Sequence, residues 1–361
     1  MLQHFASRLR SARKMSGLTL EGLADRLGQR VSKQTLNKYE QGTTKPDDTL
    51  LLPLCEALNI RPDYFSRTRQ VEIVNYAFRK LGKLQKREQG IAIEKTRDAL
   101  ERYLELETLL GIEADFKREA FSVAKTIHTP EDAEDAANQV REAFRLGNDP
   151  MFNICEILED KGIRVIEIDV DDAFNGMSTY VDDKVPVIVV NSRLDQKLDR
   201  KRFTLLHELA HLLLQFPPDI EEKQEERLCD AFAGALLLPG IKVKEMLGNH
   251  RSALLWNELV LIKELYGISI RAILYRARHH DIITAYDLTS KMAELSRFYG
   301  RKDEPGRYKG VEKAVRFRQL LLRGVAEEVI SISKAAILDG KKLSEFRAEL
   351  NSEATYEDSS H

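Results

Sequence analysis

Apolar residues recur at helical spacing through the first 66 positions of the chain. The faces they form are Phe5, Leu9 and Ala12; Leu20, Leu23, Ala24 and Leu27; Leu36 and Tyr39; and Leu51, Leu54, Cys55 and Leu58. Glycine or proline separates one face from the next, at Gly17, Gly28, Gly42, Pro46 and Pro62. The pattern predicts a compact all-α domain of short helices over residues 1–66.

The middle of the chain changes to runs of β-branched residues. IRVIEIDV and VPVIVVN, with GMSTYV between them, predict three strands of a small sheet. Two helical stretches follow, over 196–214 and 222–237, and further helical patterns continue to about 280. Residues 141–285 are therefore predicted to form one domain with a small sheet and several helices.

Charge-rich helical patterns occupy the remaining segments. Residues 67–140 predict a helical connector, in which Leu100, Tyr103, Leu104 and Leu110 could line one face. Residues 286–350 predict a C-terminal helical extension, and the polar residues 351–361 predict a flexible tail. The expected fold class is therefore α+β and mostly helical.

The composition excludes several classes of protein. The chain has 361 residues, a hydrophobic fraction of 43% and a net charge of −2, which suits two or three folded domains. No apolar run reaches the ~18–20 residues that span a bilayer, and the basic N-terminal stretch lacks the apolar segment of a secretory signal. Cys55, Cys155 and Cys229 are widely spaced and odd in number, so we expect no disulfide framework and a cytoplasmic location.

A metal-binding pattern lies in the helical stretch RFTLLHELAHLLL. It contains His207, Glu208 and His211 as HExxH. Residues i and i+4 share one face of a helix, so both imidazoles can reach one ion, while Glu208 can act on a water molecule. The leucines on either side predict a buried helix, in which two histidines need a partner. The motif predicts a zinc site with a catalytic glutamate.

The third protein ligand is expected to be acidic and to lie on a second helix. No histidine follows His211 until His250, and EEKQEERLCDAFAGALLLP offers five carboxylates, Glu221, Glu222, Glu225, Glu226 and Asp230. The first three lie in a more charged stretch, which predicts solvated side chains. We predict Glu226 as the ligand and Asp230 as the partner that orients a ligand histidine. Helical periodicity alone does not decide which of Glu226 and Asp230 is the metal ligand.

RFTLLHELAHLLL followed by ERLCDAFAGALLLP resembles the ImmA/IrrE family of zinc metallopeptidases. FNGMSTYV, VPVIVVN and SIRAILYRARHHDII extend the resemblance over roughly residues 140–285. It implies a zincin-like domain that binds one Zn²⁺ per chain through His207, His211 and Glu226, with Glu208 as catalytic base. Tyr180 and His250 are candidates for a residue that stabilises the oxyanion.

The N-terminal helices also carry a recognisable arrangement. Thr19 can cap the helix of TLEGLADRLG, and Ser32 can cap the helix of SKQTLNKYEQG, with a turn between them. This is the pattern of a helix-turn-helix, and it resembles the Xre/Cro-like repressor family over residues 5–65. The exposed side chains at the second helix would read DNA bases, and the resemblance adds phosphate contacts after it. The predicted DNA-contacting residues are Lys33, Gln34, Asn37, Lys38, Thr44 and Lys45.

Residues 1–66 hold ten basic and seven acidic residues, a modest excess of positive charge for a DNA-binding domain. A protein-interaction module of the same fold is therefore the alternative.

Together these features predict a transcriptional regulator that carries a zinc-dependent endopeptidase. It would bind operator DNA as a homodimer, because such proteins read paired half-sites. The resemblance to the ImmA/IrrE family implies that it cleaves a partner repressor or antitoxin. The alternative is an antitoxin or repressor of a toxin–antitoxin-like pair, in which the zinc domain is a scaffold that binds a toxin partner. The complete HExxH pattern argues for the peptidase, because a structural zinc site closes with four protein ligands and needs no base.

Overall fold

The protein is described by a computed structural model that covers residues 2–67, 71–73, 84–113, 125–182, 184–300 and 303–358. These residues form mostly α-helices and one small mixed sheet, which confirms the predicted α+β class. Parts of the predicted connector and the last three residues of the predicted tail lie outside this range. None of the helices in the described ranges is long and apolar enough to span a membrane.

The helices are numbered along the chain. They are α1 (Leu2–Met15), α2 (Leu20–Arg26), α3 (Lys33–Glu40), α4 (Asp48–Leu58), α5 (Lys86–Leu109), α6 (Pro130–Ala143), α7 (Ile154–Asp160), α8 (Leu198–Leu213), α9 (Glu222–Leu237), α10 (Gly240–Leu247), α11 (Trp256–Tyr266), α12 (Ile270–His279), α13 (Ala285–Tyr299), α14 (Arg316–Ala326), α15 (Ile332–Asp339) and α16 (Leu343–Asp358). Short 3₁₀ helices cover Pro62–Ser66 and Ser192–Gln196. The strands are β1 (Arg164–Ile168), β2 (Gly176–Val181) and β3 (Val185–Asn191).

The chain divides into two compact units, Met1–Ala114 with Val315–His361, and Asp115–Ala314. The predicted connector, residues 67–140, contributes to both of them. The predicted domain limits stay a prediction. Helix α16 runs to Asp358, so residues 351–358 of the predicted tail have a helical backbone.

Helices α1 to α4 and the 3₁₀ turn Pro62–Ser66 surround a small apolar core. Leu9, Leu23, Leu36 and Leu54 are fully buried in it. The two predicted caps are confirmed: the Thr19 hydroxyl accepts a hydrogen bond from the backbone of Gly22, and the Ser32 hydroxyl accepts one from Thr35. Such caps satisfy backbone N–H groups that the first turn leaves unpaired, so they fix where α2 and α3 begin.

The C-terminal helices pack against α5 in the same unit. The Tyr103 ring lies 5.3 Å from that of Phe317, between centroids. Arg102 of α5 donates a 2.9 Å hydrogen bond to the Leu338 carbonyl, and Phe346 of α16 is fully buried. Helices α14 and α15 therefore pack on α5, and α16 packs on α15, so the three helices are an integral part of this unit.

The three predicted strands form one sheet in the second unit, in the order β1-β3-β2. Strand β3 pairs in parallel with β1 and antiparallel with β2, so that Val189 is in register with both Ile166 and Met177. Every residue of β3 is buried. Helix α8 packs on β2 and β3, and α9 packs against both α8 and α6. The sheet and α9 therefore enclose the helix that carries the HExxH pattern.

Buried ion pairs fix the beginning of α8. The Arg202 guanidinium donates to Glu312 at 2.7 Å, and neither side chain is exposed. Lys201, also fully buried, donates to Glu167 and Asp195 at 2.7 and 2.6 Å. A buried charge is tolerated only when it is paired and hydrogen-bonded, so these contacts set the orientation of α8 against its surroundings.

Candidate metal centre and DNA-binding surface

The donor atoms of His207, His211 and Glu226 converge on one point between α8 and α9. The two Nε2 atoms are 3.3 Å apart. The Glu226 carboxylate places one oxygen 3.4 Å from the Nε2 of His207 and the other 3.4 Å from that of His211. The three residues that the sequence proposes as ligands thus form a group able to hold a metal ion.

These separations match the requirements of zinc. Two ligand atoms bound at tetrahedral angles, each about 2.0–2.1 Å from one ion, lie about 3.3–3.4 Å apart. Two imidazole nitrogens and one carboxylate form a donor set that zinc uses in catalytic sites, where a fourth position stays open for water. The residues present therefore fit this ion in both chemistry and spacing.

Each imidazole is held at its outer nitrogen by a carboxylate of α9. The Nδ1 of His207 lies 2.8 Å from Asp230, and the Nδ1 of His211 lies 3.1 Å from Glu225. Carboxylates that accept from Nδ1–H direct the Nε2 lone pair of each ring toward the converging donors. The structure brings Asp230 to the position that the sequence predicts.

Glu225 is a histidine partner that the sequence pattern does not predict. The charged stretch around it predicts a solvated side chain, but that side chain is only 26% exposed and contacts His211. The spacing along the helix could have indicated this position. Glu225 and Cys229 are four residues apart, so they share a face of α9, and Cys229 is buried. The Cys229 sulfur is buried 3.7 Å from the Nδ1 of His211, on the side away from the converging donors.

Glu208 lies beside the ligands but is held by a different element. Its side chain is 3% exposed and accepts a 2.9 Å hydrogen bond from the Ser178 hydroxyl on β2. Gly176 of the same strand leaves room for it, since a Cβ there would lie 3.4 Å from the Cγ of Glu208 and 2.7 Å from Thr204. The sheet thus positions the carboxylate that the sequence proposes as base.

The two candidates for stabilising an oxyanion have other contacts. The Tyr180 hydroxyl donates to the carbonyl of Leu212, the residue after His211. The His250 ring nitrogen Nδ1 contacts the carbonyl of Asp281 at 3.2 Å. Neither contact assigns the role, and it stays a prediction for both residues.

A second group of metal-ligand types consists of Glu134, His279 and His280. The Glu134 carboxylate is already paired, because the Arg276 guanidinium donates hydrogen bonds to both of its oxygens. Burial raises the pKa of Glu134, but the hydrogen bonds from Arg276 and the nearby His280 ring outweigh it and lower the pKa to about 2. We interpret this group as a structural ion-pair cluster between α6 and the end of α12.

A cleft of about 1010 Å³ lies next to Asp230, which contacts the outer nitrogen of His207, and none of His207, Glu208, His211 and Glu226 lines it. Asp230 lines it, as does Phe203, which precedes His207 by one helical turn. Residues of α12 and of the segment 303–308 form its other walls. A cavity of this size fits several residues of an extended peptide.

All six residues predicted to contact DNA are exposed. Lys33, Gln34, Asn37 and Lys38 lie on α3, opposite the buried Leu36, and Thr44 and Lys45 follow in the next loop. Lys33 and Lys45 each lie 3.6 Å from a carboxylate, those of Glu21 and Asp48. At that separation and exposure a lysine exchanges its partner for phosphate at little cost.

Two comparisons with protein-family models find matches. Residues 9–65 match the helix-turn-helix family, a family of DNA-binding domains. Residues 158–278 match the IrrE N-terminal-like domain, a metallopeptidase family, and the matched range contains His207, Glu208, His211 and Glu226. A comparison with curated proteins found no match. The resemblance stated from the sequence is confirmed: the chain joins an Xre-like helix-turn-helix domain to an ImmA/IrrE-like peptidase-family domain.

Proposed function

We propose that this protein is a transcriptional regulator whose second domain is a zinc-dependent endopeptidase. The observation that carries the proposal is the triangle of donor atoms from His207, His211 and Glu226, with Glu208 beside it. A purely structural zinc site has four protein ligands and no adjacent base. The three donors and the buried glutamate therefore favour hydrolysis over a scaffold role.

In this mechanism His207, His211 and Glu226 would hold one zinc ion per chain. An ion held there would supply Lewis-acid chemistry, which activates water and polarises a carbonyl. Glu208 accepts the proton of the attacking water on a carboxylate oxygen and delivers it to the nitrogen of the leaving amine. The Ser178 hydroxyl keeps that carboxylate in place, while Asp230 and Glu225 keep both imidazoles directed inward.

The DNA-binding domain supplies the location of the activity. Residues of α3 and the following loop would contact operator bases and phosphates, and pairing of two chains would read two half-sites. The substrate would be a partner repressor or an antitoxin-like protein. A peptidase tethered to an operator meets a repressor on the same DNA at a raised effective concentration.

The proposal is tested with repressor and antitoxin proteins encoded next to this chain. Each is purified and incubated with zinc-loaded protein, and the products are analysed by mass spectrometry. We expect cleavage of one partner at one bond, and loss of cleavage in Glu208→Gln, which keeps the size of the side chain but not its basicity.

An exposed carboxylate on α9 offers the matched control, and Glu222→Gln is expected to cleave normally. Tight binding of a partner that neither the unmodified protein nor Glu222→Gln cleaves would refute the peptidase and support the scaffold role.

A further inference from the structure

The cleft next to Asp230 is a cavity separate from the converging donor atoms. It lies within the second unit, and α8, α9, α12 and the segment 303–308 form most of its walls. Asp230 is the residue that the cleft shares with the metal centre, where it contacts the outer nitrogen of His207. The volume of about 1010 Å³ is at the upper end of the range of small-molecule sites. The chemistry of the lining therefore decides what the cleft can bind.

The carboxylates that line the cleft already have partners. Asp199, Asp303 and Glu304 each lie within 2.7 to 3.1 Å of a lysine or arginine that also lines it. Asp230 is held against His207 at 2.8 Å. The first three therefore leave no unbalanced negative charge in the cleft, and the fourth is directed to the metal centre.

Three arginines that line the cleft have no carboxylate partner among the residues that the structure describes. They are Arg200, Arg227 and Arg307, and all three are exposed. Arg200 donates to the side-chain oxygen of Asn175 at 2.8 Å, and the Arg307 guanidinium donates to the carbonyl of Gln196 at 3.3 Å. Both acceptors are uncharged. The cleft therefore presents an excess of positive charge that an anionic ligand would neutralise.

Two walls of the cleft place an apolar side chain about one helical turn from one of these arginines. Phe203 follows Arg200 by three residues on α8, and Ala231 follows Arg227 by four residues on α9. Residues at these spacings share a helix face, with about 5–6 Å between their Cβ atoms. A ligand that contacts both kinds of side chain therefore carries its charge within a few ångströms of an apolar group.

An exposed aromatic side chain completes the apolar part of the cleft. Tyr275 of α12 lines it together with Ala272, three residues earlier, and the Tyr275 side chain is 59% exposed. Apolar surface of this kind, rimmed by polar residues, marks ligand-binding grooves. A planar group is the favoured partner, because aromatic rings prefer offset-stacked or edge-to-face contacts with one another.

We propose that this cleft binds a small organic phosphate, in which a phosphate group lies next to an aromatic group. Arginine is suited to phosphate, because its planar guanidinium donates two parallel hydrogen bonds to the oxygens. A phosphate monoester carries about 1.5 to 2 negative charges at neutral pH, which fits an excess of three cations better than the single charge of a carboxylate. Phe203 and Tyr275 contact the aromatic group. Binding needs neither zinc nor Glu208, because the cleft is separate from the metal centre.

The test measures binding of 1-naphthyl phosphate to the full-length protein by isothermal titration calorimetry. Three related compounds are titrated in parallel: 1-naphthol lacks the charge, inorganic phosphate lacks the ring, and 1-naphthoate carries a carboxylate. We expect naphthyl phosphate to bind about 10-fold more tightly than each of them, since charge-assisted hydrogen bonds to arginine and ring contacts both contribute.

Two variants separate the charged part of the cleft from its apolar part. The triple variant Arg200→Gln, Arg227→Gln, Arg307→Gln should bind naphthyl phosphate about 10-fold more weakly. Tyr275→Ala should weaken binding of naphthyl phosphate and leave that of inorganic phosphate unchanged. Arg297→Gln, which replaces an exposed arginine outside the cleft, is the matched control and should bind like the unmodified protein.

Absence of naphthyl phosphate binding, or equal binding by the unmodified protein and the triple variant, would overturn the proposal. Equally tight binding of naphthol or naphthoate would overturn the selection of phosphate. Loss of binding in the zinc-free protein or in Glu226→Gln would place the probe on the metal instead of in the cleft. Tighter binding of an acidic peptide, acetyl-Glu-Tyr-Glu-amide, would assign the cleft to a protein segment. Binding that persists without zinc, in a protein that cleaves no partner, would uphold the cleft and refute only the peptidase.

Discussion

The hydrogen bond between Asp230 and His207 gives the most specific prediction about the metal centre. The two side chains lie 2.8 Å apart, and the contact is made at Nδ1, the nitrogen that does not face the other donors. Asp230→Asn keeps an oxygen that can accept this hydrogen bond but removes its negative charge. The imidazole therefore keeps its orientation and becomes a weaker base toward zinc.

The size of the effect follows from the exposure of the two outer carboxylates. Loss of such a partner weakens metal binding by about 10- to 100-fold. Asp230 is 57% exposed, so water screens its charge, and we expect a loss of about 10-fold, or about 1.4 kcal/mol. Glu225 is only 26% exposed, so Glu225→Gln should cost at least as much although its contact with His211 is longer, at 3.1 Å.

The assay is competition for zinc with a chromophoric chelator at neutral pH, which gives an apparent Kd for each protein. Glu222→Gln is the matched control, because Glu222 is an exposed carboxylate of the same helix. Its Kd should equal that of the unmodified protein. An unchanged Kd in Asp230→Asn, or an equal loss in Glu222→Gln, would refute the assignment of Asp230 as the residue that supports His207.

Three further predictions concern stability and DNA binding. Glu312→Ala leaves Arg202 charged and unpaired in the interior, so it should lower the free energy of unfolding by about 3–5 kcal/mol in urea titrations; a loss below 1 kcal/mol would contradict the role of this pair. Glu134, with its pKa lowered to about 2 in the folded protein, stabilises the fold above pH 4.5 and loses that contribution as the pH falls toward 2. Glu134→Gln should therefore lose less free energy of unfolding than the unmodified protein between pH 4.5 and pH 2. The same pH dependence in both proteins would contradict this linkage. Lys45→Gln should remove a phosphate contact, so it should weaken operator binding and lower the slope of log Kd against log salt by about one, whereas exposed Lys14 on α1 should be replaceable without effect.

Features that depend on neighbouring residues in the chain were predictable. The caps at Thr19 and Ser32 follow from residue types at helix starts, and the pairing of His207 with His211 follows from the period of the helix. The three strands were predictable because β-branched residues occur in uninterrupted runs. In each case the decisive contacts lie within one helical turn or one strand.

Other contacts between distant residues could not be predicted from the periodicity of the sequence. Glu225 and Glu226 are adjacent acidic residues, and only the crossing of α8 and α9 makes one the partner of a histidine and the other a candidate ligand. The Ser178 hydroxyl reaches Glu208 across 30 positions of the chain. A pattern of polar and apolar residues identifies the buried face of each helix but not the element that covers it.

The C-terminal helices illustrate the same limit. Their pattern predicts helices, but it does not decide whether they cover the active site, form a dimer or bind a partner. In the structure Phe317 and Leu338 contact Tyr103 and Arg102 of α5, and Phe346 of α16 is fully buried. Their assignment to the first unit comes from contacts more than 200 residues apart, such as that of Arg102 with Leu338.

The central claim is that His207, His211 and Glu226 bind one zinc ion while Glu208 does not. The most direct measurement is the metal content of the purified full-length protein and of two variants, Glu226→Gln and Glu208→Gln, by mass spectrometry of the bound metal. The account predicts one zinc per chain in the unmodified protein and in Glu208→Gln, and a large loss in Glu226→Gln. Absence of zinc from the unmodified protein under zinc-replete conditions, or equal zinc in both variants, would contradict it.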